Sequence, residues 1–187
     1  MRLKRLHEGT KWLALFSMTG SEIANLTTAL GRGPDVIITD NVDEKESSIH
    51  SDIKDLQCLV RQSFKVNAKD RVKLYEKLFD GYDLITLHGW LNIVPPAICR
   101  KYSILNGHPG LITRYPDLKG KDPQFRAWTR LKRYEYMGSV VHKVVPEVDC
   151  GEIVQVSEVP VIEGTSLDNV YKILIDTSKL AWINALS

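Results

Sequence analysis

A chain of 187 residues with 43% hydrophobic and 26% charged residues has ordinary globular composition, which excludes disorder, collagen-like repetition and coiled coil. Its 25 Lys and Arg against 23 Asp and Glu leave a formal net charge of +2, too small a surplus to imply a nucleic-acid partner. No apolar run approaches the roughly 20 residues that span a bilayer, and the start lacks the apolar stretch of a secretory signal. The expectation is therefore a cytoplasmic protein with no membrane partner.

Residues 1–11, with Arg2, Lys4 and Arg5, read as a solvated leader, and residues 12–187 as one domain. Trp12 to Phe16 is an apolar run halted at Thr19-Gly20 and followed at helical spacing by Ser21-Glu22-Ile23-Ala24-Asn25-Leu26, which predicts strand, tight turn and helix. Ser21 is placed to cap that helix, whose free N–H groups make a natural anion site. Gly31-Arg32-Gly33-Pro34 stops the helix, and Val36 to Thr39 is a second buried strand. Asp40 to Ser48 reads as a surface connection, followed by a weak helical turn near Asp52 to Leu56.

Cys58-Leu59-Val60 is a short strand candidate, Lys69 to Phe79 has helical spacing, and Leu84 to Leu87 is the next strand. Pro95 and Pro96 open a helix through Tyr102, and Ser103-Ile104-Leu105 leads as a strand into Asn106. A helix is expected from Gln124 to Lys132. Ser139 to Val144 alternates like a strand, Pro146 to Gly151 turns the chain, and Ile153 to Val156 returns as an antiparallel hairpin. Leu167 to Leu186 closes the chain as a helix. The fold class is α/β: a single doubly wound, mostly parallel sheet with a C-terminal β-hairpin and helix. Ligands of such sheets lie beyond the carboxyl ends of the strands, where Gly20, His88-Gly89 and Asn106 to Gly110 fall.

Asn106-Gly107-His108-Pro109-Gly110 and the later Asp149-Cys150-Gly151 supply an amide, an imidazole and a carboxylate. The amide can polarise a carbonyl and the imidazole can handle protons near neutral pH. The carboxylate can orient the imidazole or relay its proton, and by its charge it would favour the protonated ring. An enzyme of acyl-transfer type is the leading reading. Cys58, Cys99 and Cys150 are odd in number without CxxC spacing, so neither a disulfide framework nor a metal site is expected. His142 reads first as a packed strand residue, since strand positions usually carry packing.

The two motifs just named, with Gly138-Ser139-Val140-Val141-His142, resemble the hallmark segments of the folate-dependent formyltransferases, nearest the glycinamide ribonucleotide formyltransferase branch. The likeness runs over residues 12 to 187, and Lys119-Gly120-Lys121-Asp122 fits that family's variable loop. It implies a Rossmann-like formyltransferase fold. It also implies transfer of a formyl group from 10-formyltetrahydrofolate to a primary amine of a small, nucleotide-like acceptor, glycinamide ribonucleotide being the leading candidate. By the same resemblance Asn106 and His108 stabilise the tetrahedral intermediate and Asp149 assists proton transfer. His88, Gly89, Trp90 and Leu91 with Val144, Val145 and Val148 would hold the folate, and Gly20, Ser21 and Glu22 the acceptor.

The chain departs from the family at two places. Trp90-Leu91 stand where relatives carry an aliphatic or Met-Arg pair, and Glu22 replaces an asparagine that helps bind the acceptor's phosphate. A carboxylate beside a phosphate is repelled unless a cation lies between them. Other acceptors therefore stay open, among them an amino-sugar nucleotide. So do hydrolysis of 10-formyltetrahydrofolate and a catalytically silent folate- or nucleotide-binding module. The hydrolase is disfavoured because its relatives carry an N-terminal regulatory domain, and methionyl-tRNA formyltransferase because its C-terminal nucleic-acid-binding domain is not expected here. The expected assembly is a monomer or homodimer.

Overall fold

The computed structural model describes residues 6–42 and 48–187. The expected leader cations and residues 43–47 of the expected surface connection lie outside the described residues. The chain divides into two compact units, residues 1–106 with Ser187, and residues 107–186.

In the first unit, Trp12–Phe16 forms β1 and Ser21–Leu30 forms α1. Val36–Thr39 is β2, Ser51–Lys54 the short α2, and Leu59–Arg61 β3. Ala68–Phe79 is α3, Leu84–His88 β4 and Pro96–Lys101 α4. Strand Ile104–His108, β5, runs from this unit into the next. In the second unit, Pro123–Thr129 is α5, Tyr136–Lys143 β6, Ile153–Pro160 β7 and Leu167–Leu186 α6. The strands form one mixed seven-stranded sheet in the order β3-β2-β1-β4-β5-β6-β7.

Both β1 and β4 are buried along their whole length, as near-continuous apolar strands of a parallel sheet must be. They pair in parallel with Phe16 opposite His88, so the residue that ends β4 lies at the carboxyl end of β1, just before the turn into α1. Trp12, Tyr75, Phe16 and Phe79 are the largest side chains fully enclosed in the first unit. Burying aromatic side chains of that size is worth about 1.5–3 kcal/mol each. The second unit has its own core, in which Leu111, Ile112, Leu118, Leu131, Met137 and Val140 meet Val170 and Leu174 of α6.

Two local expectations change. Ser21 does not cap α1 but is its first residue; the cap is Gly20, in the left-handed region at φ 69. A Cβ there would lie 2.3 Å from Ile53 Cδ1, so backbone angle and space both call for glycine. The Ser21 N–H is taken instead by Thr19 Oγ1 at 3.3 Å. The helix expected through Lys132 ends at Thr129, and a single 3-10 turn over Leu131–Arg133 follows. The antiparallel hairpin of β6 and β7 is present, with a register shift between Val141 and His142.

Candidate active site

In the second unit the end of β5 delivers His108, β6 delivers His142, and the turn between β6 and β7 delivers Asp149. Asp149 sits in left-handed backbone at φ 52, a conformation that Asp and Asn tolerate better than most residues. Its Oδ2 lies 3.3 Å from His108 Nδ1 and its Oδ1 3.4 Å from His142 Nε2. Oδ2 also accepts the Gly120 N–H at 2.8 Å. The side chains of His108, His142 and Asp149 are only 6%, 3% and 9% exposed.

The far side of each ring is engaged as well. His108 Nε2–H donates to the Leu118 carbonyl at 2.9 Å, and His142 Nδ1 lies 2.9 Å from the Lys143 carbonyl. A carbonyl can only accept, so a neutral His108 places its one N–H there, and its Nδ1, facing Asp149, carries hydrogen only in the imidazolium form. His142 presents Nε2 to the other carboxylate oxygen, where it donates to Asp149. A proton arriving on His108 Nδ1 would be stabilised by the same carboxylate.

Burial pushes the Asp149 carboxyl up. The hydrogen bond from His142, the proximity of His108 and the Gly120 N–H outweigh it and hold the group down to about 2. For His108 the balance falls the other way. Burial pushes the imidazole below its ordinary 6.5, although Asp149 and the Leu118 carbonyl both pull it upward. The expectation that the carboxylate keeps His108 protonated near neutral pH is therefore corrected: the ring is neutral there, because loss of solvation outweighs the attraction of one charge.

Asn106 stands on β5 two residues before His108, so strand alternation puts their side chains on one side of it. Gly107 between them faces α6. A Cβ on it would lie 2.4 Å from Trp182 Nε1 and 3.0 Å from Trp182 Cε2. The fully buried indole of Trp182 occupies the space a larger residue at 107 would need, and so fixes the height of this strand segment. Cys150, next to Asp149, is exposed and takes a hydrogen bond from Lys119 Nζ at 3.2 Å.

In the first unit a second polar line runs outward from the core. Trp12 Nε1–H donates to Thr86 Oγ1 at 2.8 Å, Thr86 Oγ1 lies 2.8 Å from His88 Nε2, and His88 Nδ1 lies 2.7 Å from Glu22 Oε2. Gly89 follows at φ 61, and the Leu91 N–H is held by Ser17 Oγ at 2.9 Å. The Trp90 ring turns inward, its Nε1–H on the Tyr75 hydroxyl at 3.0 Å and its edge against Phe64. Met18 and Leu91 are left 57% and 69% exposed beside this backbone. In the second unit Val144 and Val145 are half-buried in the turn after β6, and Val148 is exposed.

The expected residues therefore occur as His108 with Asp149 in one unit, and Glu22 with His88 in the other. Sequence reasoning missed the Glu22–His88 contact, the second imidazole on Asp149, and the backbone that Leu118 and Gly120 contribute from the expected variable loop. The only signal for the last was the run Lys119-Gly120-Lys121-Asp122 itself, since a backbone donor has no side-chain signature. Among the described residues no group of three or more His, Cys, Asp or Glu is arranged to hold a metal ion.

Comparison with known proteins adds three likenesses to a family match. The formyl transferase family model matches residues 37–186. The phosphoribosylglycinamide formyltransferase of Dictyostelium discoideum is 28% identical over 155 residues, which cover 73% of this chain and 75% of that protein. The crystal structure of phosphoribosylglycinamide formyltransferase from Streptococcus pneumoniae matches with a TM-score of 0.78 at 21% identity, covering 95% of this chain and 97% of that one. That of a formyltetrahydrofolate deformylase from Pseudomonas syringae matches with a TM-score of 0.72 at 21% identity, covering 95% of this chain and 60% of the other. At such identities the two structural likenesses speak to the fold.

Proposed function

Since the chain belongs to the formyl transferase family, we propose that it moves a formyl group from 10-formyltetrahydrofolate to the primary amine of a small, nucleotide-like acceptor, with glycinamide ribonucleotide the leading acceptor. The donor brings an activated formyl group, and the chain brings the means to hold charge and protons beside it. The observation that carries this reading is the enclosed Asp149 carboxylate, ionised at neutral pH and set against His108.

Asn106 offers its amide N–H to the formyl oxygen. His108, neutral before reaction, offers its Nε2–H to the same oxygen once that oxygen replaces the Leu118 carbonyl as acceptor. As negative charge develops there, donors aimed at it stabilise the transition state more than the ground state. The attacking amine must shed a proton. Nδ1 of His108 can take it, because the resulting imidazolium faces Asp149 Oδ2, and the proton passes on to the folate nitrogen, which leaves as its bond to the formyl carbon breaks and the oxyanion collapses to the product amide. His142 holds the other carboxylate oxygen in place.

The reading gives His88, Gly89, Trp90, Leu91, Val144, Val145 and Val148 to the folate and Gly20, Ser21 and Glu22 to the acceptor. A flat heterocycle suits the first of these segments, where the Gly89–Leu91 backbone is flanked by the exposed apolar side chains of Met18 and Leu91. A turnover assay with 10-formyltetrahydrofolate and a panel of amines tests the proposal. Formyl transfer to an amine is expected, with His108→Ala lowering kcat by on the order of 10²–10³ while the fold is kept. Donor consumption at one rate with and without amine would instead make the chain a hydrolase. No turnover with any amine or water would sink the catalytic reading.

A further inference from the structure

We propose that Glu22 selects the acceptor: the segment Thr19 to Glu22 receives a hydrogen-bond donor or cationic group of the acceptor, not a phosphate. This rests on the formyl-transfer reading and departs from its leading acceptor, replacing glycinamide ribonucleotide by an amine without a phosphate at this place.

The His88 side chain is fully enclosed, whereas Glu22 is 25% exposed. The imidazole therefore stands behind the carboxylate, and a molecule arriving from solvent touches the carboxylate first. A cation placed between Glu22 and a phosphate would relieve their repulsion, but His88 is on the other side. A group that donates hydrogen bonds, a sugar hydroxyl or an ammonium, meets a partner of the right polarity.

Nor is the carboxylate free to swing away. Its Oε2 is held at 2.7 Å by His88 Nδ1, and the opposite ring nitrogen is fixed at 2.8 Å by Thr86 Oγ1. Thr86 in turn takes the indole N–H of Trp12, and Thr86 and Trp12 are both fully enclosed. Withdrawing Glu22 would cost that buried imidazole a hydrogen-bond partner, a large penalty in the interior. A flexible glutamate has thus been turned into a fixed acceptor group, with its ordering completed before any ligand arrives.

The remaining features of the segment agree. Glu22 lies in the first turn of the ten-residue helix α1, so the positive end of that helix already has its negative partner within the chain. The Ser21 N–H, which an anion would otherwise use, is taken by Thr19 Oγ1, and that hydroxyl also lies 3.0 Å from Ser21 Oγ. One of the donors that make a helix start attractive to phosphate is thus engaged internally, and the side chain offered outward beside it is the Glu22 carboxylate. An amine acceptor that carries a hydroxyl where a nucleotide carries phosphate is the better fit.

The experiment compares two acceptors that differ only in that group, glycinamide ribonucleotide and glycinamide riboside, by steady-state formyl transfer with the full chain. The quantity read is the ratio of kcat/KM for the riboside to that for the ribonucleotide. Glu22→Gln keeps size and a hydrogen-bonding oxygen but removes the charge. It is expected to lower the ratio about tenfold, through the two KM values with kcat preserved. Glu22→Asn, too short to span to His88, serves as a second variant should Gln perturb the fold. A ratio that is unchanged or rises in a folded variant overturns the proposal.

Dissociation constants for the same two compounds, and for inorganic phosphate, measured by titration calorimetry on the wild type and Glu22→Gln, decide the matter without turnover. Tighter phosphate binding by the variant supports the role of Glu22, and equal binding overturns it. Failure to formylate any amine would count against the formyl-transfer reading alone.

Discussion

At the scale of single residues the proposed chemistry turns on how one enclosed carboxylate is shared. His108 is neutral because its burial outweighs the attraction of Asp149. The carboxylate still pulls its affinity for protons upward, so removing that charge must lower it further. Asp149→Asn is the suitable variant, since Asn accepts left-handed backbone as readily as Asp. Proton NMR of the His108 ring should show a wild-type midpoint below the ordinary 6.5, moving lower still in Asp149→Asn. A midpoint that moves up would mean that the carboxylate does not act on this ring. Sequence singled out His108 and Asp149, which the fold brings together, because an imidazole and a carboxylate in glycine-rich turns stand out. It misjudged the charge state of His108, because solvation depends on what other segments enclose the ring, here the Leu118 carbonyl and the turn that carries Gly120.

At the scale of elements, the end of β5 is set by a contact with α6. Gly107→Ala puts a methyl carbon where Trp182 stands, so either β5 or the indole must move, at a cost of about 1–3 kcal/mol. Because Asn106 and His108 flank the site, the variant should lose kcat beyond its loss of stability. Combining it with Trp182→Phe, which clears indole atoms from the contact, should restore part of both. Melting temperature and kcat across the two single variants and the double variant measure the coupling, and strictly additive effects would dissolve the proposed link. Such a contact is illegible in sequence, since Gly107 reads as a loop glycine and Trp182 as one more apolar residue of an amphipathic helix. The elements themselves were legible. Trp12–Phe16, Val36–Thr39 and Leu167–Leu186 appear where apolar runs and helical spacing put them. Ser21 was misread because its backbone N–H is satisfied by the preceding Thr19, a choice decided by loop geometry.

At the scale of the whole molecule, parallel strands that are neighbours in space come from distant stretches of chain. Glu22 and His88 meet because β4 lies beside β1 while β2 and β3 lie beyond it, an order that spacing along the chain does not reveal. The fold also binds protons less readily than the unfolded chain at both His108 and Asp149, so the contribution of these two groups to stability rises with pH. For His108 the contribution is complete well above 6.5 and declines as pH drops through the ordinary histidine range, where the unfolded chain takes up a proton the fold refuses. For Asp149 it declines from about the ordinary 3.8 down to about 2. Urea midpoints taken between about pH 7.5 and about pH 5.5 should fall in the wild type and fall less in His108→Gln. Equal slopes would remove burial as the cause.

The left-handed backbone at Asp149 has a consequence for which sequences this molecule can accept. At φ 52 the main chain admits glycine, asparagine or aspartate with least strain, and costs glutamate or alanine about 1–2 kcal/mol whatever their side chains can do. The two imidazoles and the Gly120 N–H independently ask for a short, ionised oxygen pair. Only one of the twenty residues satisfies both filters. A selection experiment that randomises position 149 should therefore return Asp among active clones, and Asn and Gly among those that are merely folded.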